Sequence, residues 1–164
     1  MLFNTLCIEK HERFGGYCMP TPTRFWESKS LSELTRTEWE SLCDGCAKCC
    51  LHRFEDVETR EIRFTNVCCR YLDQQACRCT DYPNRSVNVP DCVTITLEVL
   101  EDPYWLPATC AYRLLAEGRP LPDWHPLVSG NPDSVVEAGH SVGGLVVCEL
   151  EAGPLEHHMI DWLE

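Results

Sequence analysis

The densest chemistry in the chain lies at Cys43-Asp44-Gly45-Cys46-Ala47-Lys48-Cys49-Cys50, two successive C-x2-C spacings closed by a vicinal pair. C-x2-C is a spacing of reach: a tight turn aims both sulfurs at one centre, and zinc accepts such thiolates at about 2.3 Å in a tetrahedron. Gly45 inside the turn lets the backbone bend and brings amide hydrogens toward sulfur. Five more thiols follow at Cys69, Cys77, Cys79, Cys92 and Cys110. Cys77-Arg78-Cys79 is C-x-C, which suits an extended strand with both sulfurs on one side. Adjacent side chains diverge, on a helix by about 100°. Cys49 and Cys50 therefore read as serving two centres, or as one ligand beside one buried thiol. Nine thiols are thus candidate metal ligands, one more than the eight that two four-thiolate sites use.

Which metal they would hold is open on spacing alone. Cys43-x2-Cys46-x2-Cys49 reproduces the first three thiols of the bacterial ferredoxin run, but no x3-Cys-Pro follows, so a fourth ligand must come from afar, with Cys92 and Cys110 as candidates. The radical-SAM spacing C-x3-C-x2-C fails because position 53 is Arg53. No zinc-finger His pair follows the cysteines. Zinc in one or two closed sites would contribute folding energy directly. The number of thiols and the ferredoxin-like spacing place an iron–sulfur cluster ahead of zinc. His52 is read either as a ligand or redox-sensitive neighbour of the cluster, or as a strand-surface histidine. His125 is read either as a turn histidine packed on Trp124, or as an active-site acid or base. His157 and His158 are expected to be exposed.

Composition narrows the field. The 164 residues are 44% apolar, a share that counts thirteen cysteines, so the hydrocarbon core is thin. The formal charge is −12, and every Lys and Arg lies at or before Arg119. Residues 43–92 hold seven bases against eight acids. No basic face of the kind that tracks phosphate is visible, which argues against nucleic acid and anionic membrane as partners. The acidic stretch beyond Arg119 is a candidate docking surface for a protein partner, or a solvated face. No apolar run approaches the roughly 18–20 residues of a membrane helix. The first ten residues are too polar for a secretory apolar segment. The expectation is the reducing cytoplasm, where lasting disulfides are rare, and the odd cysteine count agrees. No G-x-S-x-G, phosphate loop, G-x-G-x-x-G or H-E-x-x-H occurs, so whether the protein is an enzyme is left open.

The elements that must position these thiols are short. Residues 1–24, broken by Gly15-Gly16, Pro20 and Pro22, read as a loosely ordered extension, and 25–164 as one cysteine-cluster domain. Thr35-Arg36-Thr37-Glu38 has the form of a capping box, predicting a short helix that carries Trp39 and Leu42 inward and delivers Cys43. Leu51–Phe54 and Ile62–Phe64 suit half-buried strands, and 73–92 reads as loop. A second helix is predicted over Pro107–Glu117. Ser141–Cys148 reads as a strand with a bulge at Gly143-Gly144, and the end as a short helix containing Ile160 and Trp162. The fold class is α+β: a small domain with short strands, a few short helices and long loops tied by cysteine-bound metal.

From about Phe25 onward the chain resembles the bacterial CxxCxxCC cysteine-cluster family of zinc- or iron-chelating domains, and within it the YcgN-like branch. The residues that carry the resemblance are Trp39-Glu40-Ser41-Leu42-Cys43 through Cys50-Leu51-His52, Phe64-Thr65-Asn66-Val67, Cys69-Arg70, Cys77 with Cys79-x2-Tyr82-x2-Arg85, Pro90-Asp91-Cys92, Trp105-Leu106-Pro107, Thr109 through Leu115, and Trp124-His125-Pro126-Leu127. The resemblance implies a thiolate-bound metal centre without fixing a reaction. Some relatives carry the module beside a protein-methylating activity, of which nothing is seen here. Cys7, Cys18, Cys68 and Cys148 depart from the family pattern and are not carried over as ligands. Four thiolates on zinc leave a net −2, which Lys48, Arg70, Arg78 and Arg85 are placed to offset. Arg85, in one motif with Tyr82, is the candidate donor toward sulfur, so these two are read as supporting the bound cofactor.

The sequence thus supports a cytoplasmic metal-binding protein, with an iron–sulfur cluster acting in electron transfer, redox sensing or metal handling. The alternatives are a zinc-stapled, partner-binding module and a metalloenzyme with an open coordination position.

Overall fold

Thr35 begins the helix that matters most to the cysteine run. Its Oγ1 accepts from the Glu38 amide while the Glu38 carboxylate accepts from the Thr35 amide at 2.8 Å, closing the capping box. The computed structural model describes residues 24–163, so Cys7, Cys18 and nearly all of the expected extension lie outside it. The helices are α1 Phe25–Ser28, α2 Arg36–Ser41, α3 Arg85–Asn88, α4 Ala111–Ala116, α5 Pro126–Ser129 and α6 Ser134–Glu137. The strands are β1 Leu51–Glu55, β2 Ile62–Cys68, β3 Leu72–Asp73, β4 Arg78–Cys79 and β5 Val147–Cys148.

Antiparallel β1 and β2 pair with Phe54 opposite Arg63, and the register breaks between Leu51 and Arg53. β5 lies parallel on the other edge of β2, giving the order β1-β2-β5, while β3 and β4 form a separate antiparallel pair. Two apolar clusters flank the cysteine run. Leu42, Leu100, Leu106, Ala111, Tyr112, Leu114 and Leu121 form one, with Trp39 against it. Ala47, Leu51, Phe64, Cys68, Leu72, Val142 and Val146 form the other. Leu42 and Ala47, on either side of Cys43 and Cys46, belong to different clusters, so burial at both ends fixes the loop between them. This is a small α+β domain.

Three expectations shift. The second helix starts at Ala111, not Pro107, because Pro107 instead opens a turn closed by the Cys110 amide. Of Ser141–Cys148 only the last two residues are strand. Gly144 sits at φ +73°, a conformation that L side chains rarely adopt, and the glycine pair reverses the chain where a bulge was expected. Near the end, the helical turn is Leu155–His158, and Ile160 instead donates its amide to Phe64 O of β2 at 3.0 Å. Among the described residues no helix is long and apolar enough to cross a membrane.

Candidate metal centre

Two left-handed residues shape the cysteine run: Gly45 at φ +75° and Ala47 at φ +59°. Glycine takes that conformation freely; Ala47 is held there by its place in the second apolar cluster. Asp44 Oδ1 accepts from the Cys46 amide at 3.0 Å, tightening the first turn. The Gly45 amide works against the rise in the Cys43 thiol and the Lys48 amide against that in Cys46, an offset of two residues in both cases. Cys110 stands at the start of α4, where the amides of Arg113 and Tyr112 favour its thiolate.

Cys49 is the hub. Its thiol raises those of Cys43, Cys46, Cys92 and Cys110, and is itself raised first by hydrogen bonding to Cys50. The pair closes a 3-10 turn, Lys48–Cys50, and leads straight into β1, so regular helical spacing does not apply. Cys92 also faces Cys69 and Cys79, which face one another. Cys43, Cys46, Cys49, Cys50 and Cys110 therefore form one neighbourhood, joined through Cys92 to Cys69 and Cys79. Cys77 stands apart. It lies at φ +50°, outside extended backbone, so the C-x-C sulfurs do not share a side. Its Sγ is 3.2 Å from Ser141 Oγ and lines an open cavity of about 720 Å³ with Leu72, Asp73 and Gly143.

Electrostatics suit thiolates only in the company of a cation. Burial pushes the Cys43 thiol to about 11 and Cys110 to about 12, and Cys46 well above its ordinary range. Burial likewise raises Cys69 and Cys92. Left to themselves these thiols are protonated at neutral pH, and a bound cation reverses that preference. One further buried group is unsatisfied: Asp44 Oδ2 has no hydrogen-bond partner. The donor set is soft sulfur, as zinc and iron–sulfur centres require. Convergence is incomplete, since among the described residues no three Cys, His, Asp or Glu side chains are drawn close enough to hold an ion as they stand. The group fits by donor chemistry and neighbourhood, and binding must draw the sulfurs inward.

Cationic groups ring the thiols. Lys48 is 5% exposed, its Nζ donates to Thr109 Oγ1 at 3.1 Å, and among the described residues no carboxylate lies within ion-pair distance of it. Arg85 donates to Tyr82 O at 2.9 Å, packs its guanidinium 3.9 Å over the Tyr82 ring, and lowers the Cys92 thiol against the effect of burial. Tyr82 donates to Glu40 Oε2 at 2.9 Å, and burial followed by that carboxylate pushes its phenol up to about 12. Arg78 faces Cys43 and Arg70 faces Cys69.

The histidines resolve differently. His52 is half-buried, with Nε2 at 2.7 Å from Glu149 Oε2, while Glu149 Oε1 accepts from the Arg70 amide at 3.0 Å. His125 is completely buried; its Nε2 donates to Leu42 O at 3.1 Å and its Nδ1 accepts from the Leu127 amide. Both ring nitrogens are committed, so an acid or base role has no free nitrogen to use. Trp124 stacks on His140 at 4.2 Å and not on its neighbour in the chain. His157 is exposed as expected, but His158 bonds Asn66 Oδ1 and Ala152 O. The orphan Asp44, the Glu149 clamp and the His125 prop went unread in the sequence. A His before Pro was visible there, but Leu42, which His125 bonds, lies 83 residues away, and Glu149 lies 97 residues from His52.

Residues 42–111 match the model of the CxxCxxCC family, described as "Putative zinc- or iron-chelating domain". A UPF0260 protein of Rhizorhabdus wittichii is 63% identical over 137 residues, spanning 84% of this chain and 94% of the relative. One from Granulibacter bethesdensis is 56% identical over 84% of this chain and 83% of its own length. A third, from Cellvibrio japonicus, is 52% identical over 85% and 96%. No solved structure matches the chain. The thiol neighbourhood around Cys49 falls wholly within the matched segment, and the chain belongs to the UPF0260 family of metal-binding proteins that carry the CxxCxxCC zinc- or iron-chelating domain.

Proposed function

We propose that residues 25–164 form a cytoplasmic metal-cluster unit whose thiols hold an iron–sulfur centre used in electron transfer, redox sensing or metal handling. Cys43, Cys46, Cys49 and Cys110 are the ligand set of the first centre. Cys50, Cys69, Cys79 and Cys92 are the donors available to a second. The observation that carries this reading is the position of Cys49, whose thiol is within electrostatic reach of four others from three separate stretches of chain. Neighbouring, mutually repelling thiolates gain stability together only around a cation. A bound cluster supplies an electron carrier. The protein's own residues hold the sulfurs, screen them with Lys48 and the Arg85–Tyr82 pair, and limit access of water.

A zinc-stapled module is the second reading, favoured by the two small apolar clusters that the metal would join, with the acidic surface beyond Arg119 recruiting a protein partner. The test is purification without oxygen and without a metal-binding tag, followed by metal analysis, acid-labile sulfide and visible absorption. Iron with matching sulfide and a brown colour supports the cluster. Colourless protein with one or two zinc ions per chain replaces it with the zinc module.

A further inference from the structure

Cys68 and Cys148 stand outside the thiol neighbourhood of Cys49 yet face each other. They are direct partners in the parallel register of β2 and β5. Direct partners project from the same face of a sheet, so both side chains lie on the side opposite Val67 and Val147. The Cys148 thiol is also the first charged neighbour to raise that of Cys68. Strand neighbours lie about 4.8 Å apart, within the roughly 4.4–6.8 Å between Cα atoms that a disulfide spans.

We propose that Cys68 and Cys148 are a disulfide-forming pair that responds to a small disulfide oxidant and staples the C-terminal segment to β2. Cys148 is half-exposed and meets the oxidant, whereas Cys68 is fully buried and resolves the intermediate. The Cys148 sulfur attacks one sulfur of glutathione disulfide, loses its proton and expels one glutathione thiolate. Cys68 then attacks the Cys148 sulfur of the mixed disulfide, loses its proton and expels the second glutathione. Two protein thiols lose two electrons in all, and one glutathione disulfide becomes two thiols. Cys69 lies beyond the end of β2 and outside its register with β5, which makes it a poor competitor.

The bond would act on Glu149, the next residue. Its amide donates to Cys68 O at 2.9 Å, and its carboxylate clamps His52, two residues beyond Cys50, and the amide of Arg70, one beyond Cys69. In the reduced protein a two-residue strand and this carboxylate hold that contact, with Ile160 and His158 bonded to β2 further along; in the oxidised protein a covalent bond is added beside Glu149. The staple is independent of which metal the other thiols bind.

The experiment treats the anaerobically purified, metal-loaded protein with glutathione disulfide, blocks free thiols, and maps tryptic peptides without reduction. Trypsin leaves Cys68 with Cys69 in residues 64–70, and Cys148 as the single cysteine of 114–164, because Arg119 precedes Pro120. The expected product links these two peptides through Cys68, with metal content unchanged. Cleavage after Glu149 and Glu151 by a glutamate-specific protease should slow about tenfold or more, as local opening is suppressed. C148S and C148A should each abolish the link and keep full metal content. The proposal is overturned if Cys148 remains fully alkylatable, if the link runs to Cys69, or if either Cys148 variant loses metal.

Discussion

The eleven described cysteines divide into two populations that differ in what answers each sulfur. Around Cys49, itself an exposed residue, the neighbours are other thiols, with Arg85 at the rim. Elsewhere each sulfur has one specific partner: Ser141 for Cys77, and the matched strand thiol for each member of the Cys68–Cys148 pair. The same side chain thus sits among several like neighbours in one region and beside a single partner in the other. Frustration of one kind in several neighbours marks a site better than a count of cysteines does.

The largest effect should come from breaking that contrast directly. Cys49→Ser removes the thiol at the centre of the first ligand set and should lose at least the metal of that centre, with the chain losing its cooperative unfolding transition. Cys77→Ser exchanges one polar group for another beside Ser141 and should keep full metal content, with a stability change within about 1 kcal/mol. Equal metal loss in both variants would erase the division. Stripping metal from the wild type with a chelator tests the same point without mutation. The chain should lose its sharp thermal transition, since structural thiolate sites contribute on the order of 10 kcal/mol or more, and readdition of metal should restore it.

A second effect concerns the prop beneath the loop. His125→Gln leaves Leu42 O or the Leu127 amide poorly paired inside the core, which costs about 1–3 kcal/mol, read as a lower urea midpoint at about pH 7.5. Burial holds the folded-state pKa of His125 below its ordinary 6.5. The unfolded chain therefore takes up a proton first as pH falls, and the folded state loses stability below about pH 6.5. His125→Gln lacks that term, so the gap between variant and wild type should narrow toward about pH 5.5. A constant gap would mean that His125 titrates alike in both states.

How far these features were legible depended on their reach along the chain. The capping box at Thr35 and Glu38 spans four residues and was readable in full. The two main strands were readable too, because alternation is local, although β2 runs on to Cys68 where its pattern turns apolar. The cysteine run announced itself by spacing. What spacing could not say is which thiols meet: Cys110 arrives at Cys49 from 61 residues away through the packing of Tyr112 and Leu114 against Leu42. Cys77 leaves its C-x-C partner because of a left-handed residue that nothing in Ala76-Cys77-Arg78 signals. The Gly143-Gly144 pair reads in the sequence as a bulge, and only the left-handed Gly144 and the bond from the Leu145 amide to Val142 O make it a turn.

The smallest effect sharpens what the rim contributes. Lys48 is a buried cation inside the cysteine loop, with a neutral hydroxyl as its hydrogen-bond partner. A buried ammonium without a counter-charge is costly, and four thiolates on zinc leave a net charge of −2 that would meet it. Lys48→Met should then release metal to a competing chelator about tenfold faster, equivalent to about 1.4 kcal/mol, while Lys48→Arg keeps the charge and restores the slow rate. If Lys48 serves packing alone, the methionine variant matches its length and metal release stays at the wild-type rate. If Lys48→Met retains metal longer than wild type, the ammonium opposes the ion, and the bound centre carries no net negative charge. The two substitutions share nearly the same buried stem and differ in charge, so the ratio of their release rates isolates electrostatics from shape.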